Sequence, residues 1–501
     1  MAISAPNLVF FGDSLTDNGN LFNATQGVIP DVLRDLLGGP TNAASDGPTH
    51  AAYTSALLGL TSVNYAVAAG RAIGSYQLGD VIDSFGLSDI VLTPPDDARL
   101  DFDINLSAQI DRFQDDFSGH DLSDITAVLL IGSNDFQDID TSNPLNLVSE
   151  AVATIVGTVS STIAAAVELV ADGVGNVVIS NLPPVEFFPA FYSATPLERA
   201  GANLALDAHN GLISGAVDAL NALGANVHLL DIASMARAIA EDPTGFGLIA
   251  PYDATQRESD VLETFDADQI AFWDSIHPTT ATHGVLGAHN AHFLSGGEIS
   301  ALTDGNDARV LGGDDDLVLA YGGSDAIDAG GGDDLVFVGT GNDSVLGNAG
   351  DDLISGGAGN DAIVGAAGAD ILDGDGGNDT LQGGAGDDLL IDGLGSDVLQ
   401  GGADDDTFVF TQSSLIGGLD GATNDTFLGG AGLDTLYLVL DTATSTALSP
   451  FLQGPTQATA LSLLGITASG IESVQVLTER SALSELSGED WYDRADIWGL
   501  I

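Results

Sequence analysis

Cysteine is absent from all 501 residues, which excludes disulfides, thiol nucleophiles and thiolate metal sites. Lysine is absent too: the ten basic residues are all arginine, set against 73 acidic ones, for a net charge of -63. A chain this acidic repels phosphate backbones and anionic membrane surfaces, so nucleic-acid binding is excluded and divalent cations become the natural partners. Such a surface also suits a salty environment, where self-repulsion is screened. No run of about 20 uninterrupted apolar residues occurs, so no membrane span is expected. The nearest stretch, residues 145–170, is broken by Glu150, Gly157 and Glu168 and reads as an amphipathic or largely buried helix. The first six residues have neither the basic region nor the long apolar core of a secretory leader, so no N-terminal signal peptide is expected.

What is present divides the chain. Its length calls for two or three domains, and the 64 glycines are more than an α/β domain uses, which implies a segment built from turns. The expected boundaries are 1–295, 303–438 and 441–501. In the first part, short apolar runs at residues 8–11, 62–66, 125–131, 176–180 and 226–231 alternate with helical patterns at 145–171 and 196–223. Alternation of this kind predicts a parallel sheet with flanking helices. Ligands then bind past the carboxyl ends of the strands.

Ser14 follows the first apolar run directly, in Phe10-Phe11-Gly12-Asp13-Ser14, which makes it the candidate nucleophile. Three further stretches stand out: Asn64-Tyr65-Ala66-Val67-Ala68-Ala69-Gly70-Arg71, Ile131-Gly132-Ser133-Asn134-Asp135-Phe136, and Trp273-Asp274-Ser275-Ile276-His277. No G-x-S-x-G elbow occurs, which argues against the ordinary α/β-hydrolases. His283, His289 and His292 lack the company of a metal cluster and are expected to be surface or core histidines. In this order the four stretches resemble the signature blocks of the GDSL, or SGNH, family of serine esterases and lipases, in particular the branch of bacterial lecithinases and thermolabile haemolysins. The resemblance implies an α/β SGNH-hydrolase domain in which Ser14 attacks, His277 moves the proton and Asp274 orients the imidazole. The N–H groups of Ser14 and Gly70 and the amide of Asn134 would form the oxyanion hole, with no cofactor for catalysis. Ala69 stands where the family's glycine commonly falls, so either Ala69 or Gly70 is the donor.

From residue 303 to 410 the chain repeats every nine residues, with aspartate at the same place each time: Asp307, Asp316, Asp325, Asp334, Asp343, Asp352, Asp361, Asp370, Asp379, Asp388, Asp397 and Asp406. Two residues after each comes an apolar side chain, Val318 to Phe408, broken only by Arg309 in the first unit. A period this strict is a solenoid signal, and the apolar positions are expected to stack as the inner row of a parallel β-roll. Units such as Gly356-Gly357-Ala358-Gly359-Asn360-Asp361 resemble the calcium-binding nonapeptide of RTX proteins. Calcium takes six to eight oxygens, which Asp carboxylates and carbonyls from Gly-rich turns can supply. The eleven aspartates from Asp316 to Asp406 are therefore the expected calcium ligands. Asp425 and Asp434 mark two degenerate units before the period is lost.

The combined resemblance implies a secreted, calcium-dependent serine hydrolase of carboxylic esters. Export through type I secretion machinery is implied, with its signal in residues 441–501 and folding in calcium-rich medium outside. A phospholipase or haemolysin acting on membrane lipids, a carbohydrate or polyester deacylase, and a non-catalytic calcium-binding surface or adhesive protein are the alternatives.

Overall fold

The computed structural model describes residues 7–12, 49–66, 71–72, 105–132, 135–136, 144–188, 194–241, 243, 246, 248, 280–412, 424–452 and 456–478. The chain forms two compact units, Met1–Arg237 with Ala250–Ala291 and Ala238–Ile249 with His292–Ile501.

Among the described residues the first unit has five strands: β1 (Leu8–Gly12), β2 (Ser62–Asn64), β3 (Thr126–Leu130), β4 (Asn176–Ser180) and β5 (Val227–Leu230). They pair in the order β2-β1-β3-β4-β5, all parallel. The apolar runs of β1, β3 and β4 are buried on both faces, as strands covered on each side by helices must be. The helices are α1 (His50–Leu57), α2 (Leu106–Asp116), α3 (Pro144–Ala171), α4 (Pro196–Ala222), α5 (Ile232–Glu241) and α6 (Thr280–Ser295). α4 begins where its sequence says it should: Thr195 and Glu198 form a reciprocal capping box, with Pro196 in the first turn. Ile110 and Phe113 of α2, Ala166 and Leu169 of α3 and Ile213 and Val217 of α4 pack into one core with Val9, Phe11, Leu129, Val177 and Ile179 of the sheet.

α1 and α6 meet in a polar seam. The His50 N–H donates to His283 Nδ1 at 3.2 Å, and Thr54 Oγ1 donates to the Gly287 carbonyl at 3.2 Å. Gly287 is needed here because a Cβ would run into the Cβ of Tyr53. His50, His283 and His289 are fully buried. Burial, with His289 close by, holds the His50 imidazole down to about 4, so that ring is neutral at ordinary pH. His283 and His289 are thus core histidines, and His292 is half-buried.

In the second unit two consecutive nonapeptides make one coil. Strands at Ala326–Gly331, Ser344–Ala349, Ala362–Ala367, Thr380–Ala385 and Val398–Ala403 lie in one parallel sheet. Those at Asp316–Leu319, Leu335–Phe337, Leu353–Ser355, Ile371–Asp373, Leu389–Ile391 and Thr407–Thr411 lie in another. Within each sheet a residue pairs with the one 18 positions on, as in Val345 with Ile363 and Val336 with Ile354. The inner row from Val318 through Ile327, Ile354, Leu372, Leu390 and Phe408 is fully buried and continues to Phe427 and Leu436. Arg309, the exception, lies in the first coil and donates to Ser300 Oγ at 3.1 Å.

The ladder outlasts the sequence period. Val398 pairs with Thr426 and Thr407 with Thr435, so the pairing interval lengthens there from 18 residues to 28 and the register then resumes. Strands at Thr467–Ser469 and Ser473–Thr478 extend the two sheets further, with helices at Thr442–Leu448 and Gln457–Leu463 between. Ala460 and Leu461 of the second helix join the core of the roll. Phe246, from the earlier segment that belongs to this unit, stacks on Phe337 with ring centroids 4.4 Å apart. Of the segment 441–501, where the export signal is expected, residues 453–455 and 479–501 lie outside the described residues.

Candidate functional site

In a sheet of order 2-1-3-4-5 the connections leave β1 and β3 in opposite directions, which opens a crevice at the carboxyl ends of those two strands. Their ends are flush, with Gly12 paired to Leu130. Ser14 is the second residue past β1, and Asn134 the fourth past β3. Asn64, the last residue of β2, pairs with Phe10 on the other side of β1. Ser14, Ala69, Gly70, Asn134, Asp274 and His277 themselves lie outside the described residues, so what the structure gives is the frame from which they leave.

That frame is tightly tied. Gln109 of α2, fully buried, binds both backbone atoms of Gly12: the Gly12 N–H donates to Oε1 and the Gly12 carbonyl accepts from Nε2, each at 2.9 Å. Asp135 Oδ2 accepts the Ala72 N–H at 2.8 Å, which joins the third block to the end of the second. The Arg71 carbonyl accepts the Leu106 N–H at 2.9 Å and fixes the same stretch to the start of α2. Gly132 has φ +125° and a Cβ there would sit 2.7 Å from Thr158 Cγ2, so only glycine fits at that turn. Phe136 packs edge-on against His209 of α4, centroids 5.8 Å apart. Gln109 belongs to no motif, and Asp135, though inside the third stretch, has no role that the stretch itself assigns. Only the fold, which brings α2 under β1, reveals what they hold.

The roll carries the second chemistry. In each coil the backbone N–H of the repeated aspartate donates to Oδ1 of the equivalent aspartate one coil on, from Asp307 with Asp325 to Asp406 with Asp434, at 2.7 to 3.1 Å. Asp316 and Asp370 are members of this ladder, and so are Asp425 and Asp434. The other oxygen, Oδ2, is buried without a hydrogen-bond partner in Asp325, Asp334, Asp343, Asp352, Asp361, Asp379, Asp388, Asp397, Asp406 and Asp434. A row of buried carboxylate oxygens with nothing to bind is costly unless a cation neutralises it. Burial pushes Asp334 and Asp352 up to about 7 and Asp379 and Asp388 up to about 8. The N–H that each accepts opposes this, and neighbouring aspartates reinforce it.

Among the described residues no group of three or more His, Asp or Glu side chains converges as a metal cage. The row instead supplies one carboxylate oxygen per half-coil, and carbonyls of the glycine turns must complete any coordination sphere. The turns suit that role: Gly341, at φ +150°, passes so close to the Gly323 carbonyl that no side chain fits between them. These residues fit calcium, an oxygen-seeking cation of flexible geometry.

Comparison with known families agrees with both halves. Residues 8–289, more than half of the chain, match the GDSL-like Lipase/Acylhydrolase family. The RTX calcium-binding nonapeptide repeat (4 copies) matches at 310–345, 337–372, 346–381, 373–408 and 420–438. No curated protein matches the chain.

Proposed function

The chain belongs to the GDSL-like lipase/acylhydrolase family and carries RTX repeats that bind calcium, and on that premise we propose that it is a secreted serine hydrolase of carboxylic esters. The observation that carries the reading is the flush pair of strand ends, Gly12 and Leu130, from which the stretches holding Ser14 and Asn134 depart. Ser14 Oγ attacks the ester carbonyl as His277 takes its proton, and Asp274 holds the imidazole in the required tautomer and stabilises its cationic form. The tetrahedral oxyanion is held by the N–H groups of Ser14 and of Gly70 or Ala69, and by the Asn134 amide. His277 then returns the proton to the leaving alcohol, and water hydrolyses the acyl-enzyme with His277 as base. Gln109 and Asp135 keep the strand ends in place while this happens.

Calcium contributes to the fold of the roll and not to the ester chemistry: bound along the row, it supplies the positive charge that the Oδ2 atoms lack. The eleven aspartates from Asp316 to Asp406, together with Asp425 and Asp434, are the proposed carboxylate donors. Without calcium the row must either repel or take up protons, so metal binding becomes folding energy. This accords with export in an unfolded state through type I machinery and folding in calcium-rich medium outside. The proposed organisation is a hydrolase domain at 1–295, the RTX repeats at 303–438 and a C-terminal segment at 441–501 that bears the export signal and whose strands Thr467–Ser469 and Ser473–Thr478 extend the two sheets of the roll.

The test is hydrolysis of an ester panel, from p-nitrophenyl acetate to long-chain esters and phosphatidylcholine, by wild type and Ser14→Ala in saturating calcium. Turnover lost in the variant supports the serine mechanism, and the preferred ester separates esterase from phospholipase. Equal inactivity of both on every ester would move the non-catalytic calcium-binding alternative to the front.

A further inference from the structure

The outward faces of α3 and α4 carry apolar stripes in a chain with 73 acidic and 10 basic residues. On α4, Leu197, Gly201, Leu204, Gly211, Leu212 and Gly215 are all exposed and recur at spacings that keep them on one side of the helix. Leu197 is 83% exposed and Leu204 71%. On α3, Val152 and Val156 are 53% and 54% exposed. The segment Glu150–Ala171 of α3 is long and apolar enough to cross a membrane by length and composition, yet the helix packs along α4, α2 and β4. Its apolar surplus is left facing outward.

The position of these side chains gives them meaning. α3 and α4 each begin past the carboxyl end of the strand before them and run back antiparallel to it, so their first turns lie at the candidate catalytic edge. On α4 the level is fixed by hydrogen bonds to the segment that leaves β4. Asn203 Oδ1 accepts the Val185 N–H at 3.0 Å, and Asn210 binds the Leu182 N–H and carbonyl, each at 2.9 Å. Leu204 is therefore level with Val185, past the end of β4, and Leu197 lies about 10 Å further out along the helix. The inner face of the same helix meets Phe136, two residues beyond Asn134, through His209.

The rim of the stripe carries Glu198, Asp207 and Asp218, all exposed, and no lysine exists anywhere in the chain. An apolar centre with an acidic rim complements a lipid surface whose outermost charge is cationic, as in a layer of phosphocholine headgroups. It is repelled by an anionic layer, and the net charge of -63 opposes a second copy of the chain at this face. We infer that the outer faces of α3 and α4 dock the protein on a phosphocholine-headed lipid surface, with Leu197 and Leu204 entering it and the catalytic edge brought to the interface. This deepens the ester-hydrolase reading and rests on it for the use to which docking is put.

The binding is measured without the chemistry. Full-length calcium-loaded Ser14→Ala protein, with and without Leu197→Ser and Leu204→Ser, is floated with phosphatidylcholine vesicles and with phosphatidylglycerol vesicles at low salt. The expected result is co-flotation with phosphatidylcholine that falls at least tenfold in the leucine variant, little binding to phosphatidylglycerol, and an unchanged calcium-dependent melting curve as the check on folding. Equal flotation with and without the leucines overturns the inference, as does no binding by either protein. A dimer in sedimentation velocity that the leucine substitutions dissolve would also overturn it, assigning the face to a second copy. Failure of the serine mechanism would appear instead as ester hydrolysis surviving Ser14→Ala, a result that leaves the flotation unaffected.

Discussion

Gln109 holds Gly12 by both of its backbone polar atoms, across 97 residues of sequence. Because Gly12 ends β1 two residues before Ser14, this amide helps set where the candidate nucleophile's segment departs. Gln109→Leu would leave a buried N–H and a buried carbonyl without partners, at about 1–3 kcal/mol each. We expect a loss of roughly 2–6 kcal/mol in the stability of the hydrolase unit and a kcat that falls more than KM rises. Calcium-saturated melts and steady-state ester kinetics check both. A variant with wild-type kcat would show that other contacts suffice to hold the end of β1.

Gly132 turns the chain from β3 toward Asn134 at φ +125°, with Thr158 Cγ2 in the space a Cβ would need. Gly132→Ala therefore meets both backbone strain and a clash, each of order 1–3 kcal/mol. Activity should fall at least tenfold at a temperature where the protein is still folded. Restoring space with Thr158→Ser, which removes the clashing methyl, should recover part of the stability, and a pair of substitutions with strictly additive effects would sink that explanation.

Asp361 separates the two jobs of the repeated aspartate. Its Oδ1 accepts the Asp343 N–H at 2.8 Å, while its Oδ2 is buried without a partner. Asp361→Asn keeps an acceptor for the ladder and removes the charge; Asp361→Ala removes both. Calcium titrations followed by circular dichroism should show a raised midpoint for both variants. The alanine variant should lose about 1 kcal/mol more for the missing hydrogen bond. Equal midpoints for Asp361→Asn and wild type would mean that the Oδ2 charge takes no part in binding.

The pH dependence follows from the raised aspartates. In the calcium-free roll Asp334 and Asp352 are pushed up to about 7 and Asp379 and Asp388 to about 8, above the ordinary value of 3.8 that they have when unfolded. The folded state then binds protons more tightly, so its stability is greatest below about pH 4 and is lost as pH rises through about 7 to 8. Calcium needs the deprotonated oxygens, so its affinity should rise over the same interval. Circular dichroism at about pH 5.5, 7 and 8.5, with and without calcium, should show opposite trends. A calcium midpoint that stays constant across that range would contradict the assignment of the buried row as the metal's ligands.

The repeat was legible because the same residue must return to the same place in every coil, so Asp316 to Asp406 and Val318 to Phe408 announce themselves without a structure. The hydrolase strands were legible for a related reason: runs such as residues 176–180 are buried on both faces and need no alternation. The candidate nucleophile and its partners came from motif order. The sequence did not show that two nonapeptides make one coil, which gives the two edges of the roll different chemistry. Asn306, Ser324, Asn342 and Asn360 ladder along one edge, and Asp315, Asp333 and Asp351 along the other.

What the sequence by itself determined is therefore whatever repeats locally or sits at a strand end: the period, the inner apolar row, the elements of the α/β half and the candidate catalytic positions. What only the tertiary structure decided are the long-range ties, Gln109 to Gly12, Asp135 to Ala72, Asn210 to Leu182, and the outward side of α3 and α4. Each depends on which elements the sheet order makes neighbours. No spacing along the chain encodes such a neighbour, because a hydrogen bond across the fold needs proximity in space and is indifferent to separation in sequence.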